Sequence, residues 1–140
     1  MKYLQDYLTE KQSKLFEKYG VFFAFNNDQW DEAVDKRIDK RDYSHIMSGM
    51  YCPTKNAAEF IVEHALVVKA AVEEDIAENG LNLIIRRELS NHECYYTGDI
   101  DDAVDKLVPM YPVTGEDIWH VFKNKQYEVP LQRESETNRV

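Results

Sequence analysis

Residues 56–80, NAAEFIVEHALVVKAAVEEDIAENG, decide the fold. Ala57, Ile61, Ala65, Val68, Val72 and Ile76 recur at steps of 4, 4, 3, 4 and 4, the period that lays one apolar stripe along an α-helix. Asn56 followed by Glu59 has the pattern of a capping box, and Gly80 stands where a helix would stop. The spacing predicts a helix over about 57–78, roughly 33 Å long at ~1.5 Å per residue, enough to form the spine of a domain.

Upstream, Leu4, Leu8, Leu15 and Tyr19 keep helical spacing and Gly20 follows as a stop, with Thr9 to Gln12 a second capping pattern inside the segment. Val21 to Phe25 (VFFAF) is a short apolar run that reads as a buried strand. Asn26-Asn27-Asp28 offers caps for a helix with Trp30, Ala33, Val34 and Ile38 on one face. Asp39 to Asp42 reads as a turn, and residues 45–52 as one further strand ended by Pro53. Strand, helix and strand leave either a βαβ unit or a looser pairing open.

Downstream, Leu81, Ile84, Ile85 and Leu89 predict an amphipathic helix with Arg86, Arg87 and Glu88 outward. Residues 91–98, NHECYYTG, show no period. Asp99 caps a short helix with Ile100, Ala103, Val104 and Leu107. Thr114 and Asp117 form a capping box for a last helix facing Ile118, Val121 and Phe122 inward. The expectation is an α+β fold: a mainly helical single domain over 1–130, with two to three short strands, a long central helix and a frayed tail at 131–140.

Composition narrows the function. Seventeen basic against 26 acidic residues give a net charge of −9, which repels phosphate backbones and anionic lipid heads and so disfavours direct nucleic-acid or membrane binding. No apolar run approaches the ~20 residues that span a bilayer, and the N-terminus has no signal-peptide pattern. Two cysteines, Cys52 and Cys94, make no disulfide framework. The expected setting is cytoplasmic, with reduced thiols and no cofactor.

Chemistry-bearing patterns are thin. Glu88, His92, Glu93 and Cys94 invite a metal or thiol reading, yet no CxxC, HxxxH or HExxH spacing supports a zinc site. There is no GxSxG, and five isolated glycines form no phosphate loop. Tyr95 and Tyr96 beside His92, and Trp119 off the stripe of the last helix, suit a binding surface better, since exposed aromatics anchor partners. Charge is concentrated too: residues 54–80 carry two lysines against six acids. Glu73, Glu74, Asp75 and Glu78 lie in the last turns of the predicted helix, where its dipole disfavours them. Either Arg86 and Arg87 fold back to pair with them, or the cluster serves a basic partner.

YGVFFAFNNDQWDE, ELSNHECYYTGDIDDAVDKL and YPVTGEDIWHVFKNK, in that order, together resemble a family of small uncharacterised proteins encoded by bacteriophages and other mobile elements. The resemblance implies a bacterial or phage-infected cytoplasm and carries no catalytic residue. Small acidic phage proteins often bind and block host or defence proteins, sometimes by imitating the charge of DNA, so a non-enzymatic binding or inhibitory protein is expected. Asn91, His92, Glu93, Tyr95, Tyr96, Glu74, Asp75 and Glu78 are its candidate partner-binding residues, and homo-oligomerisation stays open. The alternative is a small enzyme or metalloprotein centred on His92-Glu93-Cys94.

Overall fold

The computed structural model describes residues 2–35, 42–124 and 127–129. It is a mainly helical α+β fold with a three-stranded antiparallel sheet. In chain order the elements are α1 (Leu4–Tyr19), β1 (Phe22–Phe23), α2 (Asn27–Asp35), β2 (Tyr43–Met47), β3 (Met50–Pro53), α3 (Thr54–Asn79), α4 (Leu81–Asn91), α5 (Cys94–Thr97), α6 (Asp101–Leu107) and α7 (Gly115–Lys123). Two compact units, Met1–Ala71 and Val72–Val140, divide inside α3, where the sequence offers no linker. Ile38, the turn at residues 39–41 and the tail at 131–140 lie outside the described residues.

In the first unit, α1 runs without a break. The Thr9 hydroxyl donates to the Gln5 carbonyl within the helix, so Thr9 caps nothing. The chain then turns at Gly20, whose positive φ of 71° is costly for any residue with a Cβ. β1 is shorter than the apolar run that holds it. Phe22 and Ala24 are buried while Phe23 and Phe25 are exposed, an alternation that composition alone hides. Asn26 caps α2 through its Oδ1, which accepts from the Gln29 amide at 2.8 Å, and Gln29 reaches back to the Phe25 amide at 2.7 Å.

The expected single strand over 45–52 is instead a hairpin, β2 and β3. Gly49, at φ +70°, turns the chain, and a Cβ there would collide with the Phe25 ring. β3 sits centrally in the order β1-β3-β2, and every pairing is antiparallel, so the βαβ alternative is not the one adopted. Leu15, Tyr19, Val21, Met50, Cys52 and Phe60 form this unit's core.

α3 begins at Thr54, three residues before the expected start. Asn56 does not cap it, because its side-chain amide donates to the Tyr19 carbonyl at 3.0 Å and tethers α3 to the end of α1. The apolar stripe is corrected as well. Phe60, Ala71 and Asp75 are fully buried, whereas Ile61, Val62 and Leu66 are 52%, 60% and 61% exposed. Of the expected stripe Val72 is buried, Ala57, Val68 and Ile76 are partly buried, and Ile61 and Ala65 are exposed; α3 is apolar on more than one side, so apolar spacing marked the buried face only in part.

His64 stacks against Phe60 and Phe16, with ring centroids 5.3 and 6.3 Å away, and its Nε2 lies 3.0 Å from the Gln12 amide nitrogen. Burial lowers its pKa below the usual histidine value. A folded pKa below the unfolded one gives stability that is present above ~6.5 and lost as pH falls through the folded value. The melting temperature should therefore decline on going from pH 7.5 to 5.5. His64→Gln should flatten that decline; a variant with the full wild-type decline would assign it to other groups.

In the second unit α4 is the hub, packed against α5, α6 and α7. Ile84, Ile85, Leu89, Ala103, Leu107, Ile118 and Val121 are almost fully buried. The Thr114–Asp117 capping box forms as expected, with bonds of 2.9 and 3.1 Å in the two directions. The expected cap at Asp99 is displaced: Ile100 is the first residue before α6 and no side chain caps it, while Asp99 Oδ1, one residue earlier, accepts from the Asp101 amide at 2.9 Å.

Candidate functional site

The segment without period, residues 91–98, is built by two left-handed residues. Glu93 has φ 56° and ψ 30°, a conformation uncommon for a residue with a side chain, and it turns the chain from α4 into the single turn of α5. Its carbonyl accepts from the Tyr96 and Thr97 amides, both at 3.0 Å, and Gly98 closes the turn on the Cys94 carbonyl. Cys94 is the inward-facing residue of this turn and is wholly buried. Tyr96, on the other side, is 91% exposed.

Tyr95 is half exposed and stacks on Phe122 of α7 at 5.4 Å. Phe122 stacks in turn on the half-exposed Trp119 at 5.6 Å, and the Lys123 ammonium lies 5.4 Å from the Trp119 ring centre. The result is a ledge of three stacked rings with Tyr96 standing beside it. Next to Tyr95 and Tyr96, an open pocket of about 420 Å³ is completed by Ser90 and Glu93.

The expected site residues divide into two groups. Glu93, Tyr95 and Tyr96 come together at the ledge, and Asn91 is exposed at the end of α4. His92 is partly buried and turned to Glu88, its Nε2 3.4 Å from Glu88 Oε2. Arg87 and Glu88 were expected to face outward; both are buried, with Arg87 Nε 3.4 Å from Glu88 Oε1. Glu74 and Glu78 are exposed at the end of α3.

Asp75 leaves the acidic surface altogether. Its carboxylate, fully buried, accepts two bonds from Arg87 at 2.9 and 2.8 Å, one from the Tyr111 hydroxyl at 2.6 Å and one from Asn79 at 2.8 Å. Burial pushes its pKa up, but these four bonds and the guanidinium charge together hold it below the ordinary carboxylate range. Of the two explanations for the acidic helix end, pairing with the following arginines therefore holds for Asp75.

The thiol of Cys94 is pushed up in pKa by burial, with Asp102 and Asp99 adding to the shift against two opposing backbone hydrogen bonds. It is a poor nucleophile, because the thiolate is the reactive form. Among the described residues no three His, Cys, Asp or Glu side chains converge as metal ligands would. No helix among them is long and apolar enough to cross a membrane.

One concavity escaped the sequence reading. In the first unit Ala24, Phe25, Asn26, Asn27, Trp30, Ser48, Gly49 and Tyr51 line an open pocket of about 530 Å³. Its residues come from the loop before α2, from α2 itself (Asn27 and Trp30), from the β2–β3 turn and from β3 (Tyr51), and that turn was expected to be strand interior. The serine–glycine pair at 48–49 was the signal that could have found it.

These features define a small, mainly helical α+β protein whose most exposed aromatic side chain among the described residues, Tyr96, sits on a turn and whose two thiols are buried. The chain belongs to a family of unknown function (DUF7659), matched over residues 4–128. No curated protein and no solved structure matches it.

Proposed function

We propose that this is a small acidic binding protein without catalysis of its own, of phage or mobile-element type, acting as an inhibitor of a host or defence protein. The carrying observation is Tyr96, 91% exposed on a turn that a left-handed glutamate holds, beside the stacked Tyr95, Phe122 and Trp119. Nothing in the unit's own packing requires an aromatic ring there. Rigid aromatics with a polar tip are the side chains that anchor protein partners at low entropic cost. Glu93 at the pocket, and Glu74 and Glu78 on α3, supply negative charge for a basic partner.

Against the alternative, a small enzyme or metalloprotein centred on His92-Glu93-Cys94, stands the fully buried Cys94 thiol. Stoichiometric zinc or iron in the purified protein, removable only by chelators, would favour that alternative. The binding reading is tested by affinity capture from the native host followed by titration of the captured protein. Tyr96→Ser and Trp119→Ser should each weaken the titrated affinity by about 2 kcal/mol or more; melting stays within a degree or two of wild type for Tyr96→Ser, whereas Trp119→Ser also lowers it, because its ring stacks on Phe122. Glu74→Lys with Glu78→Lys should weaken it further and flatten its dependence on salt. An affinity indifferent to both aromatic substitutions removes the ledge as the binding surface. An affinity indifferent to salt and to the charge reversals removes the imitation of nucleic acid.

A further inference from the structure

α3 carries a second ordered pattern on the side away from the core. Lys55, Glu59, Val62, Leu66, Lys69 and Glu73 follow one another at steps of 4, 3, 4, 3 and 4, the spacing of a coiled-coil seam. All six are exposed, and Ala58, Ile61 and Ala65 beside them are exposed too. The buried Phe60 and Ala71 and the partly buried Val67 fall on the opposite side of the helix, so this row is not the edge of the core. Val62 and Leu66, 60% and 61% exposed, are costly to leave in water unless something covers them.

The charges say what covers them. The row reads the same, with sign reversed, from either end: Lys55 and Glu73 are each nine residues from His64, Glu59 and Lys69 each five, and Val62 and Leu66 each two. A second copy of α3 laid antiparallel about that midpoint sets Lys55 opposite the partner's Glu73, Glu59 opposite the partner's Lys69, and Val62 opposite the partner's Leu66. A two-fold axis repeats each pair, which is the self-complementarity such an interface needs. A parallel arrangement would instead set lysine against lysine and glutamate against glutamate. Among the described residues, no ion pair within the chain involves Lys55, Glu59, Lys69 or Glu73, so their charges remain available to a partner.

We infer that the protein forms an antiparallel homodimer through the Lys55–Glu73 face of α3, with Val62 and Leu66 at its centre and two charge pairs on either side. The seam is ~27 Å long at ~1.5 Å per residue. A single helix pair of that length buries less than a permanent dimer does, so the association is reversible and depends on concentration. This row shares no residue with the aromatic ledge, so its test does not depend on the ledge.

The test is sedimentation velocity of the full chain from about 1 to 300 µM, the range in which a weak dimer titrates. Wild type should pass from monomer to dimer. Glu59→Lys, which faces two lysine pairs, and Leu66→Glu should each weaken the dimer at least about tenfold while melting like wild type at low concentration. Glu59→Lys combined with Lys69→Glu should restore it, because the swap rebuilds both pairs. Variants with one added, exposed cysteine fix the direction, since the native Cys52 and Cys94 are buried: Val62→Cys mixed with Leu66→Cys should cross-link faster than Val62→Cys with itself. A protein that stays monomeric throughout, a dimer indifferent to Glu59→Lys and Leu66→Glu, or a charge swap that fails to restore association would each overturn the inference.

Discussion

Replacing Arg87 by methionine should cost about 3–5 kcal/mol, because it leaves the Asp75 carboxylate charged and uncompensated inside the protein. Both side chains are almost wholly buried, and the pair is bidentate, with Tyr111 and Asn79 taking up the remaining acceptor capacity of the carboxylate. For a chain of this size the melting temperature should fall by roughly 10–20 °C. The loss belongs to the orphaned charge more than to the pair itself, so replacing Asp75 and Arg87 together by leucine should recover much of it. Tyr111→Phe removes one neutral donor to the carboxylate and should cost less, about 1–3 kcal/mol. Acid provides a second readout. Asp75 is held below its unfolded pKa, so its contribution is complete above ~3.9 and disappears as pH falls through the lower folded value. Calorimetry at pH 7 and pH 3 should show a steep acid loss in wild type and a shallower one in Asp75→Asn. An Arg87→Met protein melting within two degrees of wild type would show the pair to be solvated.

The same network shows what could be read from the sequence. Helices α1, α4, α6 and α7 were legible from their apolar spacing, and at α7 the Thr114–Asp117 capping box agreed with it. Pairing of Arg87 with the acidic end of α3 was one of the two readings the sequence offered, but the burial of Arg87 and Asp75 was not legible. A charged residue on a helix carries no local mark of burial; only the partner twelve residues away in sequence makes burial affordable. The hairpin was missed because β-rich residues continue on both sides of Ser48-Gly49, and two short strands with a tight turn have nearly the composition of one. At the candidate site the reading located Tyr95, Tyr96 and Trp119 by their misfit to helical period, and the structure brings Tyr95 and Trp119 onto the same ledge through Phe122. Phe122 was read as inward-facing, and it is the ring that joins the other two. Asp75 was misassigned because four acids at a helix end look alike when one of them is the core's ion-pair partner.

Truncating Phe60 to alanine should be the other severe change, and it decides which face of α3 holds the first unit together. The Phe60 ring is fully buried, with Phe16, Tyr19 and His64 at ring-centroid distances of 6.0, 6.0 and 5.3 Å. Removing it takes away the transfer energy of a benzyl group and leaves a cavity that helices α1 and α3 can close only partly, a loss of about 3–5 kcal/mol. Ile61, one residue further, belongs to the stripe that the apolar spacing favours, yet it is half exposed, and Ile61→Ala should cost no more than about 0.5 kcal/mol. Val68, only partly buried, falls between them, so Val68→Asp should destabilise without abolishing the fold. The ordering Phe60, then Val68, then Ile61 is the expected result of urea titrations on the three variants, carried out at low concentration so that association through the outer face of α3 does not contribute. The reverse ordering would return the core to the Ala57–Ile76 stripe. It would also withdraw the exposed row on which the antiparallel dimer depends, because one helix cannot bury Ile61 and Val62 in its own core and still offer their neighbours to a second copy.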